Sequence, residues 1–144
     1  MTLSLEAAEG LVVAAADKAR ELGLTVSIAV VDPGGYLIAF GRMEAGGWVH
    51  AEVAVAKARA SAALNRSGTE LLETQRINPH FAFQSQFLMK GRYFREKGSL
   101  PVHDSDGNLV GALAVSGGGT GGEEDEVIAK AAVQALEKGA MRVS

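Results

Sequence analysis

The chain contains no cysteine, which excludes a disulfide framework and any thiolate metal site. Basic charge is not in excess. Fourteen Lys and Arg face 17 Asp and Glu, a net charge of −3, so the electrostatic footprint of a nucleic-acid binder is missing. No apolar run approaches the ~18 residues of a membrane span. Residues Met1 to Glu6 lack a basic region and a continuous apolar core, so they do not read as a signal peptide, and a soluble, cytoplasmic protein is expected. The longest block of like charge is Glu123-Glu124-Asp125-Glu126, too short for a disordered tail. What remains is 47% hydrophobic and 22% charged over 144 residues. That is the balance and length of one folded domain, residues 1–144.

Hydrophobic spacing orders the elements. Ala8, Leu11, Val12, Ala15, Ala19 and Leu22 recur on one helical face, with Ser4 suited to cap the start and Gly23 the end. Thr25 to Val31 is β-branched and apolar, Asp32-Pro33-Gly34-Gly35 is turn chemistry, and Tyr36 to Phe40 returns as a second strand. The pattern repeats as Leu100 to His103, Asp104-Ser105-Asp106-Gly107 and Leu109 to Val115. Both turns read D-x-x-G, which points to shared hairpin geometry. Between the hairpins, Val49 to Leu64 is an alanine-rich helix. Ser67-Gly68-Thr69-Glu70 opens another helix with a capping box, and Asn78-Pro79 ends it. Helix is slightly favoured over loop for Phe81 to Lys97, and Glu123 to Glu137 is a strong final helix. Hairpins separated by helices describe an antiparallel sheet with helices packed on it, not a βαβ succession.

Three groups carry candidate chemistry. His50 and Lys57 lie seven residues apart on the alanine-rich helix, about 20° apart around its axis. An ammonium amid small apolar side chains either reaches solvent or an acid such as Glu52 or Asp125, or it receives an anionic ligand group with His50 beside it. The loop Gly117-Gly118-Gly119-Thr120-Gly121-Gly122 satisfies G-x-G-x-x-G, yet no later parallel strand or ribose-binding acid follows, so a dinucleotide site is disfavoured. Its alternatives are a tight strand-to-helix crossing or exposed N–H groups that hold a carboxylate. Third, Phe81, Phe83, Phe87, Tyr93 and Phe94 are five of only eight aromatic residues. They read as core or as a flat ligand wall, with Arg92 and Arg95 placed to meet carboxylates. His80 and His103 have no metal-site spacing, so no structural metal is expected. One histidine or methionine on a haem iron is compatible with this inventory.

Several motifs in fixed order resemble the GlcG/HbpS family, which includes the C-terminal domain of PduO. They are Ser27-Ile28-Ala29-Val30-Val31-Asp32-Pro33-Gly34-Gly35, Phe40-Gly41-Arg42-Met43, Ala54-Val55-Ala56-Lys57-Ala58, Leu100-Pro101-Val102, Gly111 through Gly118, and Asp125-Glu126-Val127-Ile128-Ala129. The resemblance implies an α/β fold of the α+β type: a profilin-like α–β–α arrangement with a five-stranded antiparallel sheet flanked by helices. It also implies homo-oligomers, from dimer to octamer. Some relatives bind haem; others are encoded with glycolate or propanediol catabolism. On this match Asp32, Arg42, Lys57, Gly117, Gly118 and Asp125 occupy recurrent positions. Two departures stand out: Gly98-Ser99-Leu100-Pro101 replaces the usual G-G-x-P, and the Phe81–Lys97 segment is unlike the common pattern.

Three functions follow. The first is a protein binding a small ligand, haem or another tetrapyrrole foremost, through Lys57, His50, Arg42, Phe81, Phe83, Arg92, Gly117, Gly118 and Gly119. The second is a cofactor-free enzyme for a carboxylate or aldehyde metabolite, with Lys57 on the substrate and His50 or Asp125 moving protons. The third is an accessory structural subunit. The first two expect Lys57 and the glycine loop to face a common hollow.

Overall fold

The structure, a computed structural model, describes residues 1–119 and 121–139. In chain order the elements are α1 (Leu5–Glu21), β1 (Ser27–Val31), β2 (Leu37–Arg42), α2 (Trp48–Leu64), α3 (Gly68–Ile77), α4 (Pro79–Leu88), β3 (Ser99–His103), β4 (Leu109–Ser116) and α5 (Glu123–Lys138). The strands form one sheet in the order β2-β1-β4-β3, every neighbouring pair antiparallel. It is a mixed α+β architecture with five helices among the described residues.

Among the described residues the sheet has four strands, not the five that the resemblance implies. The long connection between the hairpins is taken up by α2, α3 and α4, and residues 92–96 join no ladder. Near the N-terminus, Leu3 makes only an isolated bridge, its N–H donating to Val110 O at 2.9 Å. Neither stretch adds a strand.

Side chains alternate across a sheet, and here the alternation sorts them by size. Ile28, Val30, Leu113 and Val115 join the core beneath α1 and α5. Ala29, Val31, Ala112 and Ala114 meet Ala54, Ala58 and Ala62 of α2 on the other side. Small residues on both partners bring the α2 backbone close to the sheet. Side chains projecting from that face of α2 therefore reach the ends of β1 and β4.

The two D-x-x-G turns have matching hydrogen bonds. Asp32 Oδ1 accepts from Gly34 and Tyr36 N–H, and Asp104 Oδ1 from Asp106 and Asn108 N–H, all at 2.9 Å. Gly35 and Gly107 sit at φ 87° and 83°, the left-handed region that glycine enters without strain.

Asn78 closes α3 and opens α4: its N–H donates to Thr74 O and its side chain accepts from Phe81 N–H, with Pro79 in the first turn of α4. α4 packs chiefly on α3. Its sole buried residue is Ala82, while Phe83, Phe87 and Leu88 are exposed.

Candidate functional site

Lys57 lies on the sheet side of α2 and is fully buried, 1% exposed. Its Nζ donates to Val115 O at 2.6 Å and lies 3.5 Å from Asp125 Oδ2. Asp125, in the first turn of α5, also accepts the Gly118 N–H at 2.8 Å through Oδ1. One carboxylate thus ties α2, the end of β4 and the glycine loop together. Burial holds the Lys57 pKa below the ordinary lysine value, and the charge of Asp125 opposes that fall. Gly98, at φ 109°, packs directly on the pair: a Cβ there would stand 2.6 Å from both Lys57 Nζ and Asp125 Cβ. Of the two acids considered for Lys57, Asp125 is the partner.

His50 shares this end of the sheet. Its Nδ1 is 3.1 Å from Ser116 Oγ, and a Cβ at Gly117 would touch its ring. Lys57, His50, Asp125, Gly117 and Gly118 are therefore neighbours, with Gly119 beside Glu124; Thr120 lies outside the described residues. Arg42 is separate. It ends β2, donates to Gly46 O, and borders a hollow of about 230 Å³ shared with Val12 and Ala16 of α1. His103 bonds Asn65 Oδ1, the αL residue that closes α2.

The larger hollows surround α4 instead. One, about 510 Å³, is lined by Leu72 and Gln75 of α3, Pro79, Ala82, Phe83 and Gln86 of α4, and Phe94, Arg95 and Glu96. Phe83 and Phe87 meet edge-to-face at 5.1 Å. Arg95 is 7% exposed, donates from Nη2 to Ser85 Oγ at 2.7 Å, and lies 5.8 and 5.9 Å from the Phe81 and Tyr93 ring centres. Among the described residues no carboxylate comes within ion-pairing distance of it. Glu96 borders the same hollow, but its Oε1 accepts the Lys97 N–H. A buried guanidinium answered only by a hydroxyl and two ring faces is poised for an anion. Burial lowers its pKa from the ordinary arginine value, yet arginine stays charged.

A family model described as haem degrading protein HbpS-like matches residues 3–134. The chain belongs to the HbpS-like family. Protein GlcG of Escherichia coli K12 is 36% identical over 114 residues, covering 79% of this chain and 81% of that one. Two solved structures superpose over most of their length. One, a PduOC:heme complex, gives a TM-score of 0.84 at 27% identity over 99% of this chain and all of that one. The other, HbpS, gives 0.83 at 29% identity over 94% and 91%.

Within this HbpS-like chain, the sequence-predicted residues other than Arg42 fall in two places. Lys57, His50 and the glycines gather at the sheet end; Phe81, Phe83 and Arg92 gather around α4. The wall contributed by α3 (Leu72, Gln75) had no sequence signal beyond the helix itself. Ser85, which holds Arg95, sits one helical turn beyond Phe81, a spacing that pairs them on one face. The departure at Ser99 also has a partner: Ser61 Oγ donates to Ser99 Oγ at 2.7 Å, both side chains buried.

Proposed function

We propose that the protein binds a flat, largely apolar molecule bearing carboxylates, with haem or another tetrapyrrole as the leading ligand, in the α3–α4 hollow. The observation that carries this is Arg95: a buried cation without a carboxylate among the described residues, set against two aromatic rings in the wall of a hollow of about 510 Å³. About 510 Å³ falls within the 300–1,000 Å³ range of small-molecule sites. Leu72, Phe83 and Phe94 would hold the ring, and Arg95 one acid group. A charge-assisted hydrogen bond of that kind contributes about 1.5–3 kcal/mol.

The lining suits the organic part of haem better than its metal. No imidazole, thioether or phenol is among its side chains, so the usual axial ligands of haem iron are missing from this lining. Binding through ring and acid alone should be indifferent to the metal. The haem-bound PduOC relative supports the ligand class. A second copy of the chain laid over the exposed Phe83, Phe87 and Leu88 would enclose the ligand further, and homo-oligomerisation belongs to this reading.

Titration of the full chain with hemin and with metal-free protoporphyrin, followed by absorbance, tests it. Both should saturate with similar affinity, and Arg95→Gln should weaken both by about ten-fold or more, as loss of a charged hydrogen bond predicts. Absence of binding by either, binding of hemin alone, or indifference to Arg95→Gln would overturn the assignment.

A further inference from the structure

A second hollow lies where the β1–β2 turn faces the segment that follows α4. It measures about 220 Å³ and is lined by the turn residues Pro33 to Tyr36, by Arg59 and Ala63 of α2, and by Met89, Arg92 and Tyr93. Two guanidiniums therefore share one small space. Each spends its Nε on a backbone carbonyl: Arg59 on Gly35 O at 3.3 Å, Arg92 on Met89 O at 3.1 Å. Among the described residues, neither ion-pairs with an acid, and no further acceptor bonds either guanidinium. An Nε anchored on the main chain fixes the plane of the guanidinium and leaves its Nη donors for an outside acceptor, the arrangement that suits bidentate capture of an oxyanion.

The surroundings favour an anion too. No acid lines this hollow. Asp32, at the base of the turn, has Oδ1 committed to the Gly34 and Tyr36 amides. Tyr36 and Tyr93 add phenolic groups at the wall, each able to donate one hydrogen bond. The β3–β4 turn supplies an internal control. It has the same hydrogen-bonded geometry around Asp104, yet its tip carries Asp106 and Asn108, both exposed, and among the described residues no arginine hydrogen-bonds to it. The positive charge is therefore a property of the first turn's neighbours, not of the turn.

From this geometry we infer that Arg59 and Arg92 form a binding site for a small dianion, a dicarboxylate or a phosphate monoester group. Two cations match two negative charges. The volume lies below the range for drug-sized ligands, which limits the occupant to a small metabolite. The site shares no arginine with the α3–α4 hollow and does not depend on tetrapyrrole binding.

Calorimetric titration of the full chain with inorganic phosphate and with succinate, at a physiological ionic strength of about 0.15 M, tests the inference. At least one probe should bind saturably, one per chain, with a Kd of about 1 mM or tighter. Arg59→Gln and Arg92→Gln should each weaken that binding by about ten-fold or more, while Arg20→Gln, an exposed arginine on α1, should leave it unchanged. Phosphate binding alone would identify a tetrahedral head group, succinate alone a dicarboxylate, and either supports the site. Arg92 is exposed on a turn, so Arg92→Gln decides the matter if Arg59→Gln does not fold. Failure of both probes to bind, or equal weakening by Arg20→Gln, would overturn the inference. The porphyrin titrations do not enter this result, so the two sites stand or fall separately.

Discussion

Lys57 and Arg95 are both buried cations, and the protein treats them differently. Lys57 reaches a carboxylate and a backbone carbonyl, and that carboxylate in turn holds the glycine loop. Arg95 meets a serine hydroxyl and two aromatic faces at the edge of a hollow. A buried charge is tolerated when paired and hydrogen-bonded, and one left without a counter-charge keeps a standing cost that a ligand can relieve. The comparison teaches that burial alone does not mark a binding residue; what matters is whether the protein has already answered the charge.

The largest effect should come from breaking the answered pair. Asp125→Asn leaves the Lys57 ammonium buried without its counter-charge, and removing one partner of a buried pair costs about 3–5 kcal/mol. Denaturant unfolding measures the loss. The variant also carries a pH signature. Burial already places the folded Lys57 pKa below the unfolded value of 10.5, and loss of Asp125 lowers it further. Between the two values the unfolded chain binds more protons, so stability must rise with pH in that window. The variant's folded value is the lower, so its gain starts at lower pH, and the deficit of Asp125→Asn should shrink until pH passes the wild-type folded value. A deficit below about 1 kcal/mol, or one independent of pH, would mean the pair does not hold this end of the sheet.

Gly98 sharpens the same half of the comparison. A Cβ there meets Lys57 Nζ, Asp125 Cβ and Val115 O, each within 2.8 Å, and φ is 109°. Gly107 offers the control, with φ 83° and nothing within 4 Å of an added Cβ. Gly107→Ala should cost only the strain of its backbone conformation, about 1–3 kcal/mol. Gly98→Ala should cost clearly more in thermal unfolding, because it also displaces the ion pair. Equal losses would show that the pair can move aside.

The paired half was the more legible in sequence. Lys57 stood out because an ammonium interrupts a run of alanines, Asp125 was already one of its two candidate partners, and both hairpins announced themselves through D-x-x-G. The hollow around α4 was less legible for a physical reason. Phe81 to Lys97 mixes one short helix with an irregular return, and α4 is largely exposed, so no hydrophobic periodicity records which way it faces. Arg59 was missed altogether, since one arginine on an alanine-rich helix looks like a solvated charge until the β1–β2 turn is folded against it. The fifth strand came from the resemblance, and no run among the described residues forms it.

The smallest effect on stability should come from the unanswered cation, and that is its diagnostic value. Arg95→Gln removes a charge whose burial is opposed by desolvation, together with one hydrogen bond and two ring contacts. Relief of desolvation offsets the lost hydrogen bond, about 0.5–1.5 kcal/mol, and the ring attraction, about 0.5–2 kcal/mol. The net change without ligand should stay within about 1 kcal/mol, well short of the loss at Asp125. With saturating protoporphyrin the difference should open. A ligand that binds only the folded state stabilises it in proportion to RT ln(1 + [L]/Kd), so the wild-type melting temperature should rise more than that of the variant. If Arg95→Gln instead cost as much as Asp125→Asn in the absence of ligand, Arg95 would be a structural cation like Lys57, and the contrast between the two would be lost.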